Sequence, residues 1–223
     1  KGIRMNFKKA FTYIFEDQRW FEKLIVPLLV TLIPVVGGMA TAGYIMRVTR
    51  NVAANQAAPL PQFEFGTDLR LGFKMFVAGL VYILPIMLVY LIIILPLMLA
   101  GDGERSWILG IFGAFAGLLI LAYGLLLAVM MPVITAKVAV QQEIKAAFQF
   151  KDVFRRLKNN FTAWLIAIGG AMLCGAVIAP LGGIVFGIGV IITTFYSQLI
   201  IAHLNGQAYA HSQNPGGQGA PVY

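Results

Sequence analysis

Charge is what this sequence has least of. Asp, Glu, Lys and Arg make up 12% of its 223 residues, about half the share of an ordinary soluble domain. The deficit is uneven, because from Asn159 to Tyr223 there is not one of the four. A hydrated surface cannot be built from such material, so a soluble globular protein is excluded. Cysteine is nearly absent too. The single Cys174 lies inside an apolar run, which excludes a disulfide framework within the chain and reads as a small packing residue, since apolar surroundings suppress the thiolate. Catalytic patterns are also missing: no Gly-x-Gly-x-x-Gly, P-loop, His-Glu-x-x-His or Gly-x-Ser-x-Gly stretch occurs. His203 and His211 stand eight apart with no third ligand, which does not make a metal site. The chain therefore reads as non-enzymatic, with no cofactor.

What fills the space is apolar sequence. Mean hydropathy is +0.81 and 59% of residues are apolar. Four uncharged runs, 75–100, 107–136, 161–179 and 184–203, are each close to or beyond the ~20 residues that span a bilayer as a helix. No series of alternating ten-residue segments suggests a barrel. The expected fold is all-α: a polytopic membrane helical bundle of four full spans in one membrane domain, 1–210, followed by a Gly/Pro-rich tail, 211–223. Pro85 and Pro96 are expected to kink the first span, and Pro132 lies near the end of the second. Asp102 and Glu104 sit in a short turn and are read as keeping it wet.

A fifth uncharged run, Leu24–Met46, decides the topology. Pro34 interrupts a helical ladder and Gly37-Gly38 supplies turn freedom, so Pro34, Gly37 and Gly38 read as the tip of a hairpin over 24–46. The Lys and Arg distribution agrees. If 24–46 crosses once, the two sides carry seven and ten Lys or Arg; if it returns, they carry sixteen and one, with Arg105 alone outside. The positive-inside rule selects the second arrangement, an N-terminal re-entrant or short helical hairpin with both termini cytoplasmic in the cell membrane. Pro180, Gly182 and Gly183 form a similar joint between the last two spans, which suggests a weak internal repeat.

Two charged stretches precede these joints. Residues 1–23 carry Phe7, Phe11, Ile14, Phe15 and Phe21 at helical spacing, and 137–160 carry Ile144, Phe148, Phe154 and Leu157. Both are expected to be amphipathic interfacial helices. The net charge of +8 is then directed at anionic headgroups through Lys8, Lys9, Arg155, Arg156 and Lys158, rather than at nucleic acid. Thr194, Gln198 and Asn205 share one side of the last span, either as a polar path or as helix contacts. Gly113-x-x-x-Gly117 allows close helix packing.

The set Asn6-Phe7, Phe15-Glu16-Asp17, Ile33-Pro34, Gly37-Gly38, Gly43-Tyr44, Arg47-Val48, Asn51-Val52, Leu60-Pro61 and Gly72-Phe73-Lys74 resembles family 4013 of the domains of unknown function, which groups small prokaryotic membrane proteins. The resemblance extends to about Tyr209. It implies location and architecture and supplies no catalytic residue. Two functions remain open: an accessory or scaffold subunit packing with other membrane proteins or with itself, and a small transporter, channel or lipid-handling protein.

Overall fold

The computed structural model describes residues 5–96, 106–184 and 188–213. The described residues are helical and contain no strand. Eight helices follow one another: α1 Phe7–Glu16, α2 Trp20–Val30, α3 Val36–Ala53, α4 Phe65–Val89, α5 Ser106–Gln141, α6 Phe150–Asn159, α7 Phe161–Leu173 and α8 Ile188–Gln213. A 3₁₀ turn, Ile144–Phe148, joins α5 to α6. Three helical stretches, Phe65–Ile94, Gly110–Gln141 and Phe161–Leu181, are long and apolar enough to cross a membrane. The fourth expected span, 184–203, falls partly outside the described residues, as do the turn holding Asp102 and Glu104 and most of the tail.

The expected N-terminal helix over 1–23 is two helices. Asn6 caps α1, its side-chain oxygen accepting the Lys9 N–H at 2.9 Å. Ala10, Tyr13 and Ile14 form the buried stripe. Asp17 then ends α1 in an extended conformation, and its side chain accepts the Arg19 N–H at 2.9 Å to start α2.

The hairpin tip also differs from the expectation. Pro34 sits in the turn, but Gly37 and Gly38 are already inside α3. The left-handed position is Val35, with φ 62° and ψ −67°. The Val36 N–H reaches the Pro34 carbonyl at 2.7 Å. This is the strained γ-turn, rare for any residue and more so for a β-branched one. Gly37 serves close approach instead: a Cβ there would lie 1.9 Å from the Val30 carbonyl oxygen. The arms are tied by hydroxyls, Thr31 and Thr41 both donating to the Pro27 carbonyl at 2.9 and 3.2 Å.

Pro96 and Pro180 are both carried within helix. The turn Tyr90–Ile94 ahead of Pro96, and Cys174–Ile178 ahead of Pro180, widen into π-helix. Widening relieves the clash between the proline ring and the preceding turn while the helix continues. Pro180 therefore lies within helix, and the joint shifts to a 3₁₀ turn at Gly182–Ile184. Gly182 matters there for space, because a Cβ would meet the Gly189 carbonyl oxygen at 2.1 Å; at Gly183 only Val190 is within reach, at 3.8 Å. Element bounds move as well. The first span starts at Phe65 rather than Met75, the second ends at Gln141 rather than Ala136, and α8 runs to Gln213, ten residues beyond His203.

α3 and α8 are the centre of the molecule. α3 crosses α4 on a reciprocal glycine contact, where a Cβ on Gly43 would lie 1.7 Å from the Asp68 carbonyl oxygen and one on Gly72 1.7 Å from that of Met39. Ala10, Trp164, Ala167, Leu204 and Tyr209 belong to one apolar cluster, with Val133 and Ile134 of α5; Tyr13, Tyr44, Phe195 and Leu199 belong to a second.

Candidate functional site

No ionisable group is expected in the middle of a span, and the charged side chains that the structure buries, Arg47, Asp68 and Lys137, lie near helix junctions. Arg47 of α3 donates to Asp68 of α4 at 3.1 Å and to Glu64 at 3.0 Å, and the Asp68 side chain has no exposed surface. Lys137 near the end of α5 is fully buried, its Nζ 2.8 Å from both Asp152 Oδ2 and Gln149 Oε1. Asp152 also accepts from Arg155 and, at 2.9 Å, from Arg156 Nε. Burial opposes the Asp152 charge, but the Lys137 and Arg156 hydrogen bonds outweigh it and hold the carboxyl well below the usual range.

Buried charges at this level could carry protons or ions. Here each is spent on a helix joint: Arg47 fastens α3 to α4, and Lys137 fastens α5 to α6. Arg156 also lies over the Tyr209 ring, 4.5 Å from its centroid, and so reaches α8. The third joint is polar and neutral. Gln207 of α8 clasps the Asn6 backbone, accepting its N–H at 2.9 Å and donating to its carbonyl at 3.1 Å, and contacts His203 Nδ1 at 2.8 Å. His203 lies against the Tyr13 ring, 4.5 Å between centroids. Only a water-sized void of about 10 Å³ opens beside it, lined in part by Lys9, Glu16 and Asn55. No group of three or more metal-binding side chains occurs among the described residues.

The residues singled out in the sequence do not form one site. Thr194 and Gln198 line a groove of about 220 Å³ with Thr31, Thr41 and Ile45. Asn205, two turns on, is buried with its Oδ1 unbonded, and Leu199, Ile200, Ala202 and Leu204 seal the helix between. The basic residues also separate. Lys8 and Lys158 are exposed, whereas Lys9 pairs with Glu16, Arg155 pairs with Asp152 from an exposed position, and Arg156 turns inward.

The larger opening was not foreseen. Between α1, α2 and α8 lies an open cleft of about 470 Å³, bounded by Phe15, Trp20, Leu24, Leu28, Ile192 and Tyr196. Its volume is in the range of small-molecule sites, about 300–1,000 Å³. The Thr193 hydroxyl in its wall is satisfied by the carbonyls of Ala179, beyond the π-turn that follows α7, and of Gly189 in α8, at 2.8 and 2.9 Å. The Tyr196 hydroxyl is likewise spent, donating to the Phe11 carbonyl at 2.9 Å. The cleft thus presents hydrocarbon and aromatic faces. The sequence signal was the apolar spacing of Phe21, Leu24, Ile25 and Leu28, which alone also describes an ordinary packed face.

With three apolar helices of spanning length and polar joints confined to the helix junctions, the chain has the build of a membrane protein. Residues 26–192 match the family described as protein of unknown function (DUF4013). The chain belongs to this family. The match is shorter than the resemblance suggests, leaving α1, the start of α2 and most of α8 outside it. No curated protein and no solved structure matches.

Proposed function

We propose that this DUF4013 protein is a non-enzymatic accessory subunit of the prokaryotic cell membrane, packing through its α4–α5 hairpin against other membrane proteins or a second copy of itself. One observation carries the reading. The most apolar 18-residue windows of the Phe65–Ile94 and Gly110–Gln141 helices are only 11% and 17% buried within the chain. These helices are ~45 and ~48 Å long at 1.5 Å per residue, and the described residues bury little of their apolar length. Among the described residues, a Cβ added at Gly110, Gly113, Gly117 or Gly124 would meet nothing within 4 Å. Their spacing of three, four and seven places them on one face, open to the close helix approach that small residues permit.

The hairpin α2–α3 is read as re-entrant, entering from the side that holds both termini. α2 reaches only ~16 Å, about half a hydrocarbon core, and its polar start is fastened to the junction region by Lys23, which donates to the Leu60 carbonyl at 2.8 Å. Lys74, donating to the Gln142 carbonyl at 2.6 Å, and Lys137 belong to the same charged end. Positive-inside asymmetry makes that end cytoplasmic. On α6, Phe150 and Phe154 are exposed beside Lys151, Arg155 and Lys158, a face suited to anionic headgroups.

The test is the mass and composition of the intact particle taken from native membranes in gentle detergent. A stoichiometric complex well above the 24.3 kDa chain is the expected result. A lone monomer would sink the accessory reading and favour lipid handling, which the open cleft supports.

A further inference from the structure

We propose that the cleft between α1, α2 and α8 binds one acyl chain of a membrane phospholipid, with the lipid phosphate held at Arg19. This goes beyond the accessory-subunit reading and does not depend on it. The first support is chemical. The two hydroxyls in the wall already donate to backbone carbonyls, and the one other polar side-chain group among the lining residues is the Trp20 indole N–H at the α1–α2 end. The body of the cleft therefore suits an alkyl chain better than a polar solute. The second is depth. The walls run from Trp20 to Leu28 on α2 and from Ile192 to Leu199 on α8, or ~12 Å at helical rise. That is most of one leaflet, since the hydrocarbon core is about 30 Å across both.

The mouth gives the occupant its orientation. Phe15 and Trp20 are exposed at the α1–α2 end, their rings 5.4 Å apart, and aromatic rings of this kind settle at headgroup level. Arg19 is exposed beside Trp20 at the start of α2; neighbouring Asp17, which feels the Arg19 charge, is already paired with Lys23. A guanidinium there can grip a phosphate with two parallel hydrogen bonds. The far end of the cleft at Leu28 lies about two turns before the γ-turn at Val35.

The experiment uses the full chain in liposomes containing a phospholipid with a photoactivatable group near the end of one acyl chain. After irradiation and digestion, labelled peptides are quantified. The expected result is labelling of 20–28 and 192–199 at least fivefold above the exposed faces of α5 and α7. Filling the cleft by Leu28→Trp or Ile25→Trp should cut that labelling several-fold, while Leu118→Trp on α5 leaves it unchanged. Arg19→Gln should weaken labelling by the phospholipid and not by a diacylglycerol carrying the same chain. Thermal unfolding of each variant confirms that it is folded. Even labelling of every exposed helix, or cleft labelling indifferent to both fillers, overturns the proposal. So does protection of the cleft by a helix of a copurifying protein that added phospholipid does not displace. Equal loss of both probes in Arg19→Gln overturns the phosphate assignment.

Discussion

At the scale of single residues, the sharpest statements concern groups placed where their chemistry is costly. Val35 holds a γ-turn conformation that a β-branched side chain disfavours. Such strain is of order 1–3 kcal/mol, and glycine would release it at a smaller entropic cost of about 0.5–1 kcal/mol. Val35→Gly should therefore stabilise the protein by about 1 kcal/mol in reversible unfolding in detergent. An unchanged or lower stability would contradict the turn geometry. The Lys137–Asp152 pair gives an asymmetric result. Removing Lys137 leaves Asp152 bonded to Arg155 and Arg156, but removing Asp152 leaves a fully buried ammonium with only Gln149. Asp152→Asn should cost about 3–5 kcal/mol, the range for orphaning a buried charge, and Lys137→Met clearly less. The pH dependence follows in sign. The folded Asp152 carboxyl titrates below its ordinary value near 4, so its contribution is complete above about pH 4 and is lost as pH falls through the depressed range. Acid unfolding of Asp152→Asn should lose this part of the slope.

At the scale of elements, the helices were legible from hydrophobic runs, and their joints were not. The apolar stretches after Met75 and Trp107 announce long helices because about 20 uncharged residues have few other solutions. Nothing local tells that Arg47 will meet Asp68, or that Lys137 will meet Asp152, since these pairs depend on how helices cross. The prolines misled for a related reason. Pro180 predicts a break, but a π-turn upstream absorbs the ring and moves the joint to Gly182. Glycine likewise has two uses that sequence cannot separate. Gly43 and Gly72 let α3 and α4 touch, so Gly43→Ala or Gly72→Ala should destabilise by about 3 kcal/mol, the upper range for overpacking, measured by the same unfolding assay. Gly113 and Gly117 touch nothing inside the chain. Gly117→Ile should leave the monomer's thermal midpoint unchanged and disperse the native complex; a loss of monomer stability would show that this face is internal.

At the scale of the whole molecule, structure and sequence agree on an all-helical chain of the DUF4013 family with helices fit for a membrane. The polar joints of α1, α3, α4, α5, α6 and α8 lie around the helix junctions, and the long apolar hairpin extends from them with little cover. The buried ion pairs are not legible because they depend on how neighbouring helices cross, and the large cleft because it is assembled from residues distant in the chain. Ile14 and Leu28 meet Ile192 and Tyr196 across more than 160 positions. The central claim is that the exposed face of α5 is covered by protein in the native membrane. A photo-crosslinking amino acid placed at Leu121, which is exposed on the glycine face, tests it directly. The expected result is a discrete product with one protein partner or a second copy, absent when the group is placed at Leu165 on α7. Only lipid adducts at Leu121, with no protein product, would contradict it.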